Sequence, residues 1–219
     1  MNSTNSPSSA EAFIFNAQGN LVFREQDLHV VVDGVFSSGK SSFIQTIAEY
    51  AFTREVGLGL VTDSQPDSEP NLLFEALKDI KFNMFYGIGR INVDDDIALY
   101  FHEKNNRYRP LIELIENPFL LGAVIVVDST RQETWREARS ILETFRAYSP
   151  TPYIVVANKQ NLPDALPVDY MQKRLRLSDD MLVIPCDSTQ KESVKGVLIA
   201  LLEKVIEAID APDEAETTA

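Results

Sequence analysis

The sequence predicts an α/β fold in which a mostly parallel central sheet is covered by helices on both faces. Short, continuously apolar segments alternate with longer segments whose apolar residues recur at helical spacing. Apolar strands without polar alternation are typical of parallel sheets that are buried on both faces. The chain has 219 residues and is 44% hydrophobic, which is enough for one sizeable core.

Six segments are predicted strands because each combines apolar and β-branched residues over a short length. They cover residues 28–33, 81–93, 96–102, 121–128, 152–157 and 181–186. The carboxyl ends of parallel strands share one edge of a sheet, and ligands of such folds bind there. We therefore expect functional residues in the loops that follow these strands.

Three helices are predicted between and after the strands. The first runs from residue 40 to about residue 52. Thr130 with Glu133, and Thr189 with Glu192, have the spacing of capping boxes that begin the other two. Six apolar residues of the last helix are expected to face the core, namely Val194, Val197, Leu198, Leu201, Val205 and Ile209.

The two ends of the chain differ from its body. Residues 1–10 are rich in Ser, Asn and Pro and are predicted to be disordered. Residues 11–27 hold two short apolar runs around a Gly-Asn turn, which favours a β-hairpin. Residues 28–209 form the predicted domain, and residues 210–219 form a polar acidic tail.

The composition excludes several classes of protein. A formal net charge of −13 disfavours partners with a phosphate backbone or an anionic lipid surface. No apolar run approaches the ~20 residues of a membrane span, and no basic segment precedes an apolar leader. The single cysteine, Cys186, cannot form an intrachain disulfide, which fits a reducing compartment. A cytoplasmic protein that neither inserts into membranes nor binds nucleic acid is expected.

Residues 34–41 read GVFSSGKS and match the phosphate-loop pattern G-x-x-x-x-G-K-[ST] between a predicted strand and helix. Gly34 and Gly39 permit a backbone that directs successive N–H groups at phosphate, and the helix N-terminus favours negative charge. Lys40 would reach the β- and γ-phosphates, and the Ser41 hydroxyl would ligate Mg²⁺. A chance glycine turn is the less favoured interpretation.

A second motif, Asn158-Lys159-Gln160-Asn161, follows the predicted strand 152–157. Asn-Lys-x-Asp at this place is the guanine-reading signature of GTPases, and here Asn161 stands at the Asp position. By that resemblance, Asn158 would orient the base and the Lys159 stem would cover its ring. An ordinary polar loop is the alternative, which the upstream phosphate loop disfavours.

Together these motifs resemble the bacterial Ras-like small GTPases of the MglA and roadblock-associated type. The matching stretches are residues 34–41, 89–91, 121–130, 133–145, 158–166 and 185–202. The resemblance implies a Ras-like three-layer P-loop fold over residues 28–209, bound GTP or GDP, Mg²⁺ and GTP hydrolysis. It also implies regulatory partner proteins of the roadblock or longin type. Cys186, Asp187 and Ser188 fall where this fold places its last base-contacting loop.

The resemblance assigns nucleotide contacts and one metal ligand, Ser41, while the catalytic residue is not identified. The assigned nucleotide contacts are Gly34, Ser37, Ser38, Gly39, Lys40, Ser41, Ser42, Asn158, Lys159, Asn161, Asp187 and Ser188.

Two expected switch segments depart from the family pattern. Residues 99–108 read LYFHEKNNRY and lack both the glycine whose N–H meets the γ-phosphate and the water-orienting glutamine. Asn105 or Asn106 could substitute for the glutamine, but its side chain is one methylene shorter. The Mg²⁺-contacting threonine is not found before residue 87, and Thr62 lies too far upstream for that role. Slow or impaired hydrolysis is therefore predicted.

Asn161 also changes the predicted base preference. An Asp accepts hydrogen bonds from N1–H and the 2-amino group of guanine, whereas the Asn161 amide has one acceptor and one donor group. Its NH₂ group would oppose the guanine amino group but would pair with the oxygen that xanthine carries there. We therefore expect weakened guanine preference and comparatively good binding of xanthine nucleotide.

Two function hypotheses follow from these residues. The first is a slow GTPase switch; the second is a pseudo-GTPase that holds nucleotide constitutively and serves as an interaction module. A P-loop kinase or other ATPase is less favoured because neither an acidic general base nor a lid is recognisable. The N-terminal hairpin would extend the sheet edge or dock a partner by strand pairing.

For several other residues, a structural or solvent-exposed role is preferred over a functional one. Asp94, Asp95 and Asp96 are interpreted as a solvated turn in preference to a metal cluster. His29 is expected to be structural, and His102 is a weak catalytic candidate without a paired acid. Arg90, Arg107 and Arg109 could neutralise phosphate charge as an arginine finger does, but a place on the solvated surface is preferred for each. Trp135 is expected in the core.

Overall fold

A computed structural model describes residues 14–15, 21–57, 83–104, 119–178 and 181–210. Its main sheet has seven strands in the order β4-β5-β6-β3-β7-β8-β9. The strands are β3 (Leu28–Gly34), β4 (Tyr50–Gly57), β5 (Asn83–Asn92), β6 (Ala98–Glu103), β7 (Leu120–Asp128), β8 (Tyr153–Asn158) and β9 (Val183–Cys186). Two further strands, β1 (Ile14–Phe15) and β2 (Leu21–Val22), pair antiparallel in a separate sheet.

The direction of the strands decides where a ligand can bind. Strands β6, β3, β7, β8 and β9 are mutually parallel, and only β5 and β4 at one edge run antiparallel to their neighbours. The parallel strands therefore end at one edge of the sheet, where the loops after β3, β7, β8 and β9 meet. Both sequence motifs begin at that edge.

Helices cover both faces of the sheet. They are α1 (Lys40–Ile47), α2 (Trp135–Tyr148), α3 (Val168–Leu175) and α4 (Lys191–Asp210). Alternate residues of β3 supply two separate cores: Val30 and Val32 pack with α1 and α4, whereas Val31 packs with α2 and α3. The predicted mostly parallel α/β sheet with helices on both faces is confirmed, and the fold is that of Ras-like GTPases.

The first helix is shorter than the sequence predicted. It ends at Ile47, and Ala48 already has extended backbone angles. The amide of Glu49 donates to the carbonyl oxygen of Arg90 at 3.0 Å, and strand pairing with β5 begins at Tyr50. The prediction of helix to residue 52 was wrong because pairing with a neighbouring strand overrides local helical spacing.

Neither predicted capping box forms. The Thr130 hydroxyl donates to Asp128 Oδ1 at 2.7 Å, and a 3₁₀ turn (Gln132–Thr134) precedes α2. The Thr189 hydroxyl likewise donates to Asp187 Oδ1 at 2.6 Å. Both threonines therefore close turns after strands β7 and β9, since a carboxylate two residues back competes with the helix for their hydroxyls.

Two elements were not predicted, and one residue was placed on the wrong face. They are strand β4 and helix α3, which have only eight residues each. In α4, Val194, Val197, Leu201 and Val205 are buried as expected, but Ile209 is 75% exposed. This residue lies one position from the end of the described helix.

Several residues considered in the sequence lie outside the described part of the chain: Thr62, Asn105, Asn106, Arg107 and Arg109. The terminal segments 1–10 and 211–219 do so too, and the domain boundaries remain predictions. No helix of the described residues is both long and apolar enough to cross a membrane.

Candidate nucleotide site

The phosphate loop between β3 and α1 has a backbone that only particular residues tolerate. Gly34 has a φ of 145°, and a Cβ there would lie 2.2 Å from the carbonyl oxygen of Val126. Gly39 has a φ of 108°, and a Cβ there would lie 2.1 Å from Asn158 Nδ2. Ser37 takes a φ of 62° without being glycine. This strained backbone is what a cradle of N–H groups for an anion requires.

Lys40 folds back over this loop. Its Nζ donates to the carbonyl oxygens of Gly34 and Val35, both at 3.0 Å, and the residue is 4% exposed. Burial lowers the pKa of Lys40, while the nearby carboxylates of Glu103, Asp33 and Glu137 oppose that shift. A buried ammonium whose two bonds go to carbonyls retains a third N–H for an anionic ligand.

Glu103 is a site residue that the sequence did not single out. It ends β6, is 5% exposed, and its Oε1 accepts a hydrogen bond from the Ser41 hydroxyl at 2.7 Å. A carboxylate and a hydroxyl so placed match the oxygen donors that Mg²⁺ prefers. No local sequence pattern marks Glu103, because its place beside Ser41 depends on the pairing of β6 with β3.

A second acid lies beneath the same loop. Asp33 Oδ1 accepts the Gly34 N–H at 2.7 Å, and Asp33 Oδ2 lies 3.1 Å from Lys104 Nζ. Asp33 is 4% exposed, so its negative charge is buried close to where phosphate would bind. The ion pair with Lys104 compensates that charge, which otherwise would disfavour an anion.

Asn158 joins the phosphate loop to the loop after β9. Its Nδ2 donates to the Ser38 carbonyl at 2.7 Å, and its Oδ1 accepts the Ser188 N–H at 2.9 Å. The side chain is 2% exposed, so both bonds are made away from water. Asn158 therefore holds the phosphate loop, its own loop and the loop after β9 together.

Lys159 is held at the same edge by an acid from β7. Its Nζ contacts Asp128 Oδ2 in an ion pair and donates to the Ser37 carbonyl at 3.1 Å. Burial alone would raise the pKa of Asp128, but hydrogen bonds from Lys159 and Thr130 outweigh it and lower that pKa. With a φ of 66°, Lys159 is also in the left-handed region, which non-glycine residues seldom adopt and which is common at functional sites.

A cavity of about 200 Å³ opens beside Asn158. Seven of the predicted nucleotide contacts line it, namely Gly39, Ser42, Asn158, Lys159, Asn161, Asp187 and Ser188. Leu162 and Thr189, which were not predicted, complete the lining. The volume is below the ~300–1,000 Å³ of a pocket that encloses a whole ligand. The cavity is thus large enough for a purine base alone, and the phosphates would lie outside it on the adjoining phosphate loop.

Buried polar atoms support the fit of a polar ligand. The Ser38 hydroxyl is buried with no hydrogen-bond partner among the described residues. The Ser188 hydroxyl is also buried, and it interacts with the weakly polar thiol of Cys186. Since buried hydroxyls are normally bonded, these two atoms fit a site that a polar group completes.

The described residues could bind a metal ion only together with oxygens from a bound phosphate or from water. They contain no group of three or more His, Cys, Asp and Glu side chains that could hold an ion. Ser41 and Glu103 would supply two oxygens, which suits Mg²⁺ because this ion usually retains waters and phosphate oxygens. The Asp94–Asp96 turn is exposed, in agreement with a solvated turn.

Three other residues that the sequence singled out, His102, Trp135 and Arg90, make structural contacts. His102 Nε2 is 2.8 Å from His29 Nδ1, and both rings are buried against Phe23, so His102 belongs to a packed cluster. Trp135 is 4% exposed and donates from Nε1 to the Asp128 carbonyl at 2.7 Å, which makes it a support for the β7 end. The guanidinium of Arg90 lies 5.9 Å from the ring centre of Tyr100.

Comparison with known proteins agrees with this geometry. The chain is 28% identical over 159 residues to ADP-ribosylation factor-like protein 4C from human, and equally to the mouse protein. The match covers 70% of this chain and 71% of either relative. No protein-family model matches the chain. This distant similarity supports a GTP-binding small GTPase of the Ras superfamily; it does not assign a subfamily.

Proposed function

We propose that this protein is a guanine-nucleotide-binding small GTPase-like switch whose hydrolysis of GTP is slow. The observation that carries the proposal is the coupling of the phosphate loop to the base cavity through Asn158, which bonds Ser38 and Ser188. A phosphate cradle alone would suit many NTPases. A cradle fixed to an Asn-Lys loop suits a protein that reads a purine base.

The residues divide the work of binding. The backbone around Gly39 and the ammonium of Lys40 would bind phosphate, and Asn158 would hold the base loop against them. Ser41 and Glu103 would hold Mg²⁺, which when bound neutralises phosphate charge. Asp33 and Lys104 keep the floor of the loop electrically balanced.

Mass spectrometry of nucleotide extracted from the purified full-length protein tests this proposal. The account predicts a purine nucleotide in amounts approaching one per chain, with the diphosphate and triphosphate both represented if hydrolysis is slow. The Lys40→Ala variant should carry at least about tenfold less nucleotide per chain, because it lacks the ammonium that would bind phosphate. Extraction of adenine nucleotide alone would contradict the base assignment while leaving the phosphate site intact.

Asn161 leads to a specific prediction about which purine base is preferred. It lines the cavity together with Asp187 and Ser188. A charged hydrogen bond contributes roughly 1.5–3 kcal/mol, so replacing Asp by Asn would remove about one to two decades of guanine affinity. We expect XDP to bind comparably to GDP. GDP binding that is tighter by about tenfold or more at equilibrium would reject this.

A pseudo-GTPase that binds nucleotide without switching is the second candidate. It is favoured by the sequence after Tyr100, which lacks the glycine and glutamine that respond to the γ-phosphate in the resembled family. Phosphate release in a single turnover separates the two candidates. Release that Lys40→Ala abolishes supports the slow enzyme, whereas no release by the wild type over many hours supports the pseudo-GTPase.

The partner and subfamily are proposed from resemblance. We expect a roadblock- or longin-type regulatory protein as partner, a cytoplasmic location and MglA-type ancestry. Strands β1 and β2 pair with each other and form a sheet of their own, so the hairpin is a candidate for docking that partner. Removing residues 1–26 should weaken the complex and leave nucleotide affinity unchanged; equal partner affinity would count against a role for the hairpin.

A further inference from the structure

Helix α4 carries apolar side chains on a surface that the core does not use. Ile199 is 46% exposed, Ile206 57% and Ile209 75%, and Leu202 lies between them half-buried. At about 100° per residue these four side chains form one stripe along the helix, which we term the α4 stripe. Single exposed apolar residues are ordinary, but four on one side of a helix indicate a contact surface.

The α4 stripe is separate from the side of α4 that packs on the sheet. The buried side chains of this helix are Val194, Val197, Leu201 and Val205, and the first three belong to the core shared with α1. From helical spacing, the centre of the stripe lies about 100° around the axis from that buried side. The stripe is thus an additional apolar face, and the nucleotide site does not use it.

We propose that the α4 stripe pairs with the same stripe of a second copy of this chain. Its residues are spaced by three, four and three positions, a pattern that reads alike in both directions. In an antiparallel pair Ile199 would therefore face Ile209 of the other copy, and Leu202 would face Ile206. This 3-4-3 spacing is the seam of a coiled coil, and a two-fold axis makes the surface self-complementary.

Charge selects the antiparallel orientation over the parallel one. The stripe continues toward the helix start through Lys195 and Lys191, whereas Asp210 ends the described helix. An antiparallel pair brings the lysine end of one copy toward the Asp210 end of the other. A parallel pair would bring like charges together at both ends and align the helix dipoles unfavourably.

The size of the stripe predicts a weak dimer. Four side chains from each copy bury less than the ~1,200–2,000 Å² of a stable interface. We therefore expect a dissociation constant on the order of 10–100 µM. A lipid surface is the less favoured occupant, because the net charge of −13 opposes anionic headgroups.

Sedimentation velocity of the full chain from about 1 µM to about 500 µM tests the proposal. Wild-type protein should shift from monomer to dimer over this range, and Ile206→Lys should weaken the dimer at least tenfold. Tyr148→Lys is the matched control, since Tyr148 is 70% exposed on α2, outside the stripe. A protein that stays monomeric throughout, or a dimer that Ile206→Lys leaves unchanged, would overturn the proposal.

Disulfide trapping tests the orientation. Cys186 is buried, so introduced cysteines supply the reactive thiols. Leu202→Cys mixed with Ile206→Cys should form the mixed dimer in clear excess over either homodimer. Preferential Leu202→Cys homodimers would indicate parallel helices and contradict the charge argument. Monomeric protein that sediments with phosphatidylserine vesicles in an Ile206-dependent way would assign the stripe to lipid instead.

Discussion

The two ends of the candidate nucleotide site differ in how far they keep the chemistry of the resembled GTPases. At the base end, Asn158 makes two buried hydrogen bonds, and Lys159 adds an exposed one and an ion pair. Together these contacts join the loops after β3, β7, β8 and β9. At the end of β6, Glu103 and Lys104 stand before a sequence that lacks the expected glycine and glutamine. Binding and hydrolysis therefore depend on different residues, and a chain can retain one while altering the other.

The difference has a physical basis. Gripping a polyphosphate needs backbone N–H groups, a buried ammonium and a fixed loop, all of which surround Lys40. Hydrolysis needs in addition a group that orients the attacking water, and a misplacement near 1 Å can cost about 100-fold in rate. Changes at the β6 end should therefore alter turnover and metal response more than nucleotide affinity.

The largest effect is expected from Gly39→Ala. A Cβ at residue 39 would meet Asn158 Nδ2 at 2.1 Å, and the φ of 108° is unfavourable for alanine. Because Asn158 is bonded on both sides, it cannot move aside cheaply, and nucleotide affinity should fall by about 100-fold or more. Calorimetric titration with GDP measures this change.

Gly196→Ala is the matched control for that substitution. A Cβ there meets nothing within 4 Å, and residue 196 lies inside α4. Affinity should stay the same and the free energy of unfolding should rise by up to about 1 kcal/mol. Equal affinity of both glycine variants would refute the tight coupling of the phosphate loop to Asn158.

Glu103→Gln tests the other end of the site. The carboxylate accepts the Ser41 hydroxyl at 2.7 Å, and its replacement removes the negative charge that would attract Mg²⁺. The gain in nucleotide affinity on adding Mg²⁺ should shrink by roughly tenfold, about 1.4 kcal/mol. Asp94→Asn, in the exposed turn after β5, should leave that gain unchanged. An unaltered metal response in Glu103→Gln would exclude Glu103 from the metal site.

Asn161→Asp should increase the preference of the site for guanine over xanthine. The new carboxylate would accept both guanine donors, so GDP affinity should rise by one to two decades, equivalent to roughly 1.5–3 kcal/mol. XDP affinity should fall in the same variant, since the carboxylate would oppose the xanthine oxygen. Competition binding with GDP and XDP measures both changes. If the two affinities changed in the same direction, Asn161 would not contact the base.

The smallest effect concerns the His29–His102 cluster. Burial lowers the pKa of His29 against the opposing charge of Asp27. The folded state thus binds a proton less readily than the unfolded chain, and stability should decline as the pH falls below the unfolded value near 6.5.

His29→Leu should flatten this pH dependence and leave GDP affinity at pH 7.5 unaltered. Denaturant unfolding at several pH values measures the pH dependence of stability, and calorimetric titration measures the GDP affinity. A loss of GDP affinity in this variant would connect the histidine cluster to the nucleotide site, against the separation argued above.

The sequence was most informative where chemistry restricts the residue choice. The phosphate loop and the Asn158 loop were predictable because glycine, lysine and asparagine are each needed for one geometric or electrostatic reason. The long apolar strands β7 and β8 were predictable because burial on both faces leaves only apolar residues.

Long-range pairing explains most of what the sequence did not reveal. Tyr50 continues a helical pattern locally, yet it pairs with Arg90 of β5, forty positions away. Thr130 and Thr189 had better partners in Asp128 and Asp187 than in the helix ends. The role of Glu103 depends on β6 lying next to β3, which no local pattern encodes.

Calorimetric titration of the nucleotide-free full chain with GDP in the presence of Mg²⁺ measures whether the phosphate loop and the Asn158 loop bind a nucleotide. We expect saturable binding at one site per chain with micromolar or tighter affinity, reduced at least about tenfold by Lys40→Ala. No measurable heat or saturation with GDP, XDP or GTP would contradict it, because a phosphate loop of this geometry that grips no purine nucleotide would have some other purpose.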